Sequence, residues 1–383
     1  MKTDKFFVYA TVFLIMGLSN SVIPVLPELA VMDHTPHSAL SSSLLFSAYF
    51  IGALLTMLPF GFLSNIYGRK RLVIFSMVLT SVAGIMLLEM KGIYWLTLAR
   101  LIEGTACGAF FPSAYSLLSE HEERNRLFGE FNFLLNAGLA VSIAISGYLA
   151  HSYIKGGIFL FTSFSILLLL TGVRDQYFTE KVRDKSERRL VYDKIQTLSD
   201  IRSIVFKDNY LRIWSSSFLL FGVTGVMLAL YPDYSIDFLS KKELGMAIAG
   251  MYASSMITNI IAGRLQLSYN TMIRNGLIFA ALGTIITAYN PIPGFILVGI
   301  GSGIGLIGLP VAVSHMQSNR GILMGIFNTY TYAGMGFMPI IAGTLISGLG
   351  FRLVFILCGI VLCLPIFMSN KLESESRVET MES

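Results

Sequence analysis

The chain has 383 residues, of which 54% are apolar and 13% charged, with a mean hydropathy of +0.68 and a net charge of +5. This balance excludes an ordinary soluble domain and selects a polytopic membrane protein. Lipid offers no partner to a backbone N–H or C=O, so the choice lies between helices and a closed barrel, and long uninterrupted apolar runs select helices. The expected fold class is all-α. The pI of about 9.0 needs no nucleic acid to explain it, because positive charge on one membrane face is sufficient.

In chain order, spans are expected near 6–28, 41–63, 72–90, 94–118, 126–150, 156–173, 209–231, 244–264, 272–289, 294–316, 321–347 and 351–369. Each is close to the roughly 20 residues that cross a hydrocarbon core of about 30 Å. The first run, FFVYATVFLIMGLSNSVIPVLPEL, is too long for a signal-peptide core and has no small-residue cleavage site, so it reads as a retained helix. With both termini inside, nearly all Lys and Arg collect on the inner side. Lys91, Lys155, Lys241, Lys242 and Arg352 fall outside, and Arg100 lies within a span. A hydrophilic stretch from Arg174 to Asn209 divides the chain and reads as a cytoplasmic linker. The expected organisation is a six-helix unit at 1–173, a linker at 174–208, a second six-helix unit at 209–370 and a cytoplasmic tail at 371–383.

The two units repeat. Residues 124–149 laid over 320–345 give ten identities in 26 positions, among them Arg124/Arg320, Gly129/Gly325, Phe131/Phe327, Asn132/Asn328, Gly138/Gly334 and Gly147/Gly343. The displacement spans six helices, an even number, so the copies enter the membrane in the same direction. The chain is thus expected to form twelve transmembrane helices as two pseudo-symmetric six-helix bundles.

Between spans two and three stands GFLSNIYGRKRL, three cations flanked by uncharged runs. The cations anchor the loop inside, while Gly61 and Gly68 suit close helix approach and a tight turn. This stretch resembles the G-x-L-x-D-[RK]-x-G-[RK]-[RK] loop of the major facilitator superfamily, with Gly61, Leu63, Gly68, Arg69 and Lys70 in place; Asn65 stands where the pattern has its acid and Ile66 where it has a cation. Span four adds R-x-x-[QE]-G as Arg100, Glu103 and Gly104. With twelve spans, a central linker and the repeat, the chain is similar to this family of secondary transporters over its whole length. The resemblance implies alternating access around a central site, and an inward gate at Gly61, Asn65, Gly68, Arg69 and Lys70. In span five, Gly138, Ser142, Ser146 and Gly147 loosely follow an exporter pattern whose proline is replaced by Ile143, although Pro339 occupies the matching position in the second half.

Charge inside a bilayer is costly and usually faces the bundle interior. Arg100 and Glu103 share a helical face at i, i+3, and at about 1.5 Å per residue Glu103 lies roughly 13 Å into its span, near the midplane. They are the proton-coupling candidates. The alternative has Arg100 snorkelling outward beside Trp95, with Glu103 merely neutralising it. Asn20, Asn132, Asn136, Asn259, Asn328 and Tyr332 are candidates for a neutral substrate cavity, with hydrogen bonding between helices as their other role. Glu28, Asp33, His34, His37, Asp233 and Asp237 read as outer loop polarity, and Cys107, Cys358 and Cys363 as core packing. The glycines of GTACG (104–108) and GIGSGIG (299–305) are expected to permit close helix packing.

No enzyme is expected. HEERN at 121–125 lacks the second histidine of a zinc helix, the five histidines are scattered, and there is no phosphate loop, so neither cofactor nor metal is called for. The expected partners are a small-molecule substrate, a co- or counter-transported proton and the lipid bilayer, with no nucleic acid, and the protein is expected to be a monomer. The location implied is a prokaryotic cell membrane, with both termini cytoplasmic. Proton-coupled efflux of a drug or metabolite is the first reading. Uptake of a sugar or organic acid by symport or uniport is the alternative, and a receptor or scaffold is a remote one.

Overall fold

A computed structural model describes residues 2–31, 38–119, 123–174, 208–265, 267–316 and 320–368, and what it describes is helical apart from short turns. The linker core at 175–207 and the tail at 371–383 lie outside the described residues, as do Asp33, His34 and His37. The first half consists of α1 (Lys2–Ser21), a 3₁₀ turn (Ile23–Val25), α2 (Leu26–Ala30), α3 (Ala39–Tyr67), α4 (Arg69–Glu89), α5 (Ile93–Ser119), α6 (Arg124–Leu149) and α7 (Gly156–Arg174). The second consists of α8 (Asp208–Tyr234), α9 (Lys241–Arg264), α10 (Tyr269–Thr287), α11 (Pro291–Ser314), α12 (Arg320–Val361) and α13 (Leu364–Phe367).

Eight stretches among the described residues are long and apolar enough to cross a membrane, the first running from Lys5 through α2 to Ala30. The last, Leu323–Phe367, holds two arms bent at Gly350, whose φ of 75° is one that L side chains rarely adopt. Adding α5, α7 and α10 gives the expected twelve crossings. Gly68, at φ 94°, ends α3 and opens α4, so the tight turn expected there forms. Gly61 is different: a Cβ there would lie 3.8 Å from Pro112, an ordinary contact, so close approach does not require this glycine.

Within each half the helices pack on one another, most extensively α3 on α5, α4 on α5 and α1 on α6, then α10 on α11, α8 on α12 and α9 on α11. The halves meet along two seams, α6 against α9 and α3 against α12. Small residues set these seams: a Cβ at Gly147 would strike Lys241 and Gly245, and one at Gly343 would strike Ser43.

The cation-rich turns lie at one end of the bundle, and the other end is tied by polar contacts. Lys155, buried in the α6–α7 turn, donates to the carbonyls of Leu87 and Leu88 at 2.8 and 2.7 Å, satisfying the end of α4. Its burial pushes its pKa down, with Glu89 opposing. Across the halves, Lys241 pairs with Glu28 at 2.7 Å and Ser42 donates to Asp233 at 3.1 Å. A Cβ at Gly129, Gly263 or Gly325 near the cation-rich end, or at Gly348 or Gly350 near the other, would meet nothing within 4 Å, and Tyr9, Gly129, Glu130, Phe133 and Leu134 line a surface recess.

Candidate functional site

α5 crosses the first half with glycine on the side that faces α3. A Cβ at Gly104 would enter the backbone of Tyr49, and one at Gly108 would meet Thr56, so the two helices touch backbone to backbone. This approach brings the polar face of α5 against the carbonyls of its neighbours. Arg100 and Glu103, one turn apart on that face, are 1% and 0% exposed and form an ion pair at 2.5 Å.

Arg100 does not snorkel. Its Nε donates to the Leu45 carbonyl of α3 at 3.2 Å, Nη1 donates to the Ser19 carbonyl of α1 at 3.4 Å, and the guanidinium carbon lies 5.0 Å from the centre of the Tyr49 ring. One cation therefore links three helices through charge-assisted and cation–π contacts. Glu103 is satisfied on one oxygen only: Oε2 accepts from Arg100, while Oε1 is buried with no hydrogen-bond partner in the protein.

The remaining candidates separate. Tyr332 of α12 reaches across to α5, its hydroxyl 3.9 Å from Cys107 Sγ and its ring 6.0 Å from that of Phe50. Asn20 donates to the Leu139 carbonyl of α6 at 3.2 Å and also meets the hydroxyl of Tyr252 on α9, so it joins helices of both halves. Asn259 carries a buried amide oxygen without a protein partner. Asn136 turns back to its own helix, donating to the Asn132 carbonyl at 2.9 Å; Asn132 is exposed and Asn328 half-buried. For Asn136, then, the recorded bond is neither a cavity contact nor a bond between helices.

At the start of α4, Arg69 Nη1 donates to the Ser116 carbonyl near the end of α5 at 3.4 Å. Lys70 stands in the first turn of α4, and the side chain of Asn65 lies outside the described residues.

Sequence reasoning missed four participants. Cys107 follows Glu103 at i+4, a spacing that already put it on the charged face. Tyr49 carried no signal. Glu28 and Asp233, read as loop polarity, take part in contacts between halves, and only the fold brings Lys241 and Ser42 to them.

A bundle of twelve crossings, with a buried ion pair in one half and small-residue seams to the other, defines a polytopic membrane protein built of two halves. The profile of the Major Facilitator Superfamily matches residues 8–329 and again 213–370, and the chain belongs to that superfamily. An uncharacterized MFS-type transporter of Methanocaldococcus jannaschii is 25% identical over 375 residues, 91% of this chain and 93% of the relative. Quinolone resistance protein NorA of Staphylococcus aureus is 23% identical over 360 residues, 90% of each chain. Tetracycline resistance protein, class H, of Pasteurella multocida is 26% identical over 254 residues, 64% of this chain and 62% of its own. Among solved structures, a mutant of nucleoside transporter NupG superimposes with a TM-score of 0.75 at 14% identity, covering 95% of this chain and 98% of that one. A bacterial homolog of the human lysosomal transporter Spinster, inward-facing and unoccupied, also reaches 0.75, at 12% identity over 95% of this chain and 96% of its own. At these identities the two structures speak for the fold alone.

Proposed function

We propose that this protein is a secondary active transporter that moves a small molecule by alternating access, exporting a drug or metabolite in exchange for protons. The observation that carries this reading is the Arg100–Glu103 pair, fully buried in α5 with Glu103 Oε1 unpartnered. A carboxylate held by one cation and short of one hydrogen bond is balanced between charged and neutral forms, so a change in its surroundings transfers a proton. Arg100, fixed by carbonyls of α1 and α3, sets that balance. The resistance proteins among the relatives support export as the direction.

In this reading the cation-rich end is cytoplasmic, in accord with the positive-inside rule, and both termini lie there. The contacts between halves near Glu28, Ser42, Asp233 and Lys241 then close the outer end. Residues 1–173 and 209–370 rock as bodies joined by the 174–208 linker. Asn20, Asn259, Asn328 and Tyr332 contribute neutral polar groups to the central site, with Asn132 and Asn136 at its margin, and the Gly61–Lys70 turn takes part in closing the inner end. The protein works as a monomer in a prokaryotic cell membrane and needs no cofactor.

A second reading, proton symport or uniport of a small metabolite, is favoured by Ile143, which is buried where the exporter pattern has proline. Purified protein in liposomes loaded with a pH-sensitive dye separates the two. Addition of a quinolone, a tetracycline or uridine on either side should drive proton movement opposite in direction to the compound, and Glu103→Gln should abolish it. Proton movement in the same direction as the compound selects symport, and compound movement without a proton signal selects a uniporter.

A further inference from the structure

Cys107 is fully buried one turn beyond Glu103, and two hydroxyls flank its thiol. On one side is Tyr49 of α3, within hydrogen-bond reach of Sγ and packed against the Arg100 guanidinium. On the other is Tyr332 of α12, its hydroxyl 3.9 Å from Sγ. Tyr49 also packs edge-on to Phe50 at 4.9 Å, and Phe50 reaches the Tyr332 ring at 6.0 Å. A continuous polar path therefore runs from the ion pair in the first half, through Tyr49 and Cys107, to α12 in the second. Elsewhere on this seam the described contacts near the path are apolar or glycine, as where Gly336 meets Ile51.

The path responds to charge. Tyr49 has one O–H to donate, Cys107 Sγ accepts it, and Glu103 is in electrostatic reach of both side chains. A negative charge on Glu103 pulls on the O–H and S–H hydrogens of both side chains and so weakens the donation from Tyr49 to Sγ. When Glu103 is neutral the donation recovers. The hydrogen bonding of the thiol that faces Tyr332 thus changes with the charge on Glu103. The titratable and charged groups about this point are Arg100, Cys107 and Tyr115 on α5, Tyr49 on α3 and Tyr332 on α12.

We propose that Cys107 and Tyr332 are positioning residues whose contact carries the protonation state of Glu103 across the seam to α12, so that proton transfer and rocking of the halves are linked there. This rests on the proton-coupling reading of Glu103. Neither residue need touch the proton that is transported.

The test uses the full chain in liposomes, with a quinolone, a tetracycline and uridine as probes, and records two rates: compound-driven proton movement and compound-for-compound exchange at equal pH. Cys107→Ala and Tyr332→Phe should each slow the first by about tenfold, as expected for the loss of one buried hydrogen bond, and in Cys107→Ala exchange and KM stay at the wild-type level. Cys107→Ser, which keeps a donor and acceptor at the same place, should restore most of the loss. Wild-type proton movement in Cys107→Ala and Tyr332→Phe overturns the proposal. So does equal loss of exchange and proton movement in Cys107→Ala and Cys107→Ser together, which assigns the thiol to packing. Glu103→Gln keeps the two readings apart: full proton movement in that variant defeats the proton site itself, whereas its loss beside unaffected Cys107 and Tyr332 variants defeats only the link to α12.

Discussion

α5 and α11 occupy matching places in the two halves, yet only one of them is charged. Each packs on two neighbours of its own half, α5 on α3 and α4, α11 on α9 and α10. Each makes close approaches through glycine, Gly104 and Gly108 against α3, and Gly299 and Gly303 against Met251, Ser255 and their neighbours on α9. Setting Gly104 on Gly299 and Gly108 on Gly303 puts Phe295 where Arg100 stands and Val298 where Glu103 stands, and both are buried. Phe295 packs edge-on to Tyr231 at 4.9 Å, filling with a ring the place that a guanidinium holds by hydrogen bonds in the other half. The same backbone arrangement therefore tolerates either solution. The second half fills this place without an ion pair, in keeping with the proposal that the pair in the first half serves transport.

The sharpest way to break this comparison is to unbalance the pair. Arg100→Leu leaves Glu103 buried with no cation and strips donors from the carbonyls of Ser19 and Leu45, and should cost about 3–5 kcal/mol. Thermal unfolding in detergent checks this. The double substitution Arg100→Phe with Glu103→Val imports the second-half solution. It should recover most of that stability, because apolar replacements of buried ion pairs are often neutral or better, while proton-coupled movement stays absent. A double variant as unstable as Arg100→Leu would mean that the two halves are not interchangeable at this site.

Next in size are the glycines that the halves share. Gly104→Ala and Gly299→Ala each push a methyl into backbone, of Tyr49 and of Met251, and should destabilise by a similar amount, about 1–3 kcal/mol. Gly129→Ala, where a Cβ meets open space, should be neutral or stabilising by up to about 1 kcal/mol. A large loss at Gly104 with none at Gly299 would show that the close approach matters only beside the ion pair.

The smallest effect is expected at the end opposite the cation-rich turns. Glu28 and Lys241 remain 29% and 22% exposed, so Lys241→Met should change stability by no more than about 1 kcal/mol. Because this pair joins the two halves, the loss falls on the state in which that end is closed. A cysteine placed at Ser43 should then react faster with a water-soluble maleimide in the Lys241→Met background; an unchanged rate would remove the pair from any latch.

Much of the fold was legible because lipid imposes a strict rule on the backbone. Runs such as 41–63 and 72–90 had to be helices, the GRKR turn had to break them, and the identities between 124–149 and 320–345 exposed the duplication. Half of the site was legible for the same reason: a charge among apolar residues is conspicuous, and i, i+3 spacing is enough to pair Arg100 with Glu103. Polar residues that are ordinary in a membrane helix gave no such contrast. Asn136 proved to bond its own helix, whereas Asn20 ties α1 to α6 and meets α9, and nothing in their local patterns distinguishes the two.

By itself, then, the sequence determined the number of crossings, their twofold repetition and the ion pair on α5, because these follow from hydropathy, period and the cost of charge in hydrocarbon. Only the tertiary structure decided that Arg100 binds carbonyls of α1 and α3, that Glu103 keeps one oxygen unpartnered, and that Cys107 faces a tyrosine from the other half. Those facts depend on which helices become neighbours. That choice is made by the packing of small residues over the whole bundle, and no single stretch of the chain encodes it.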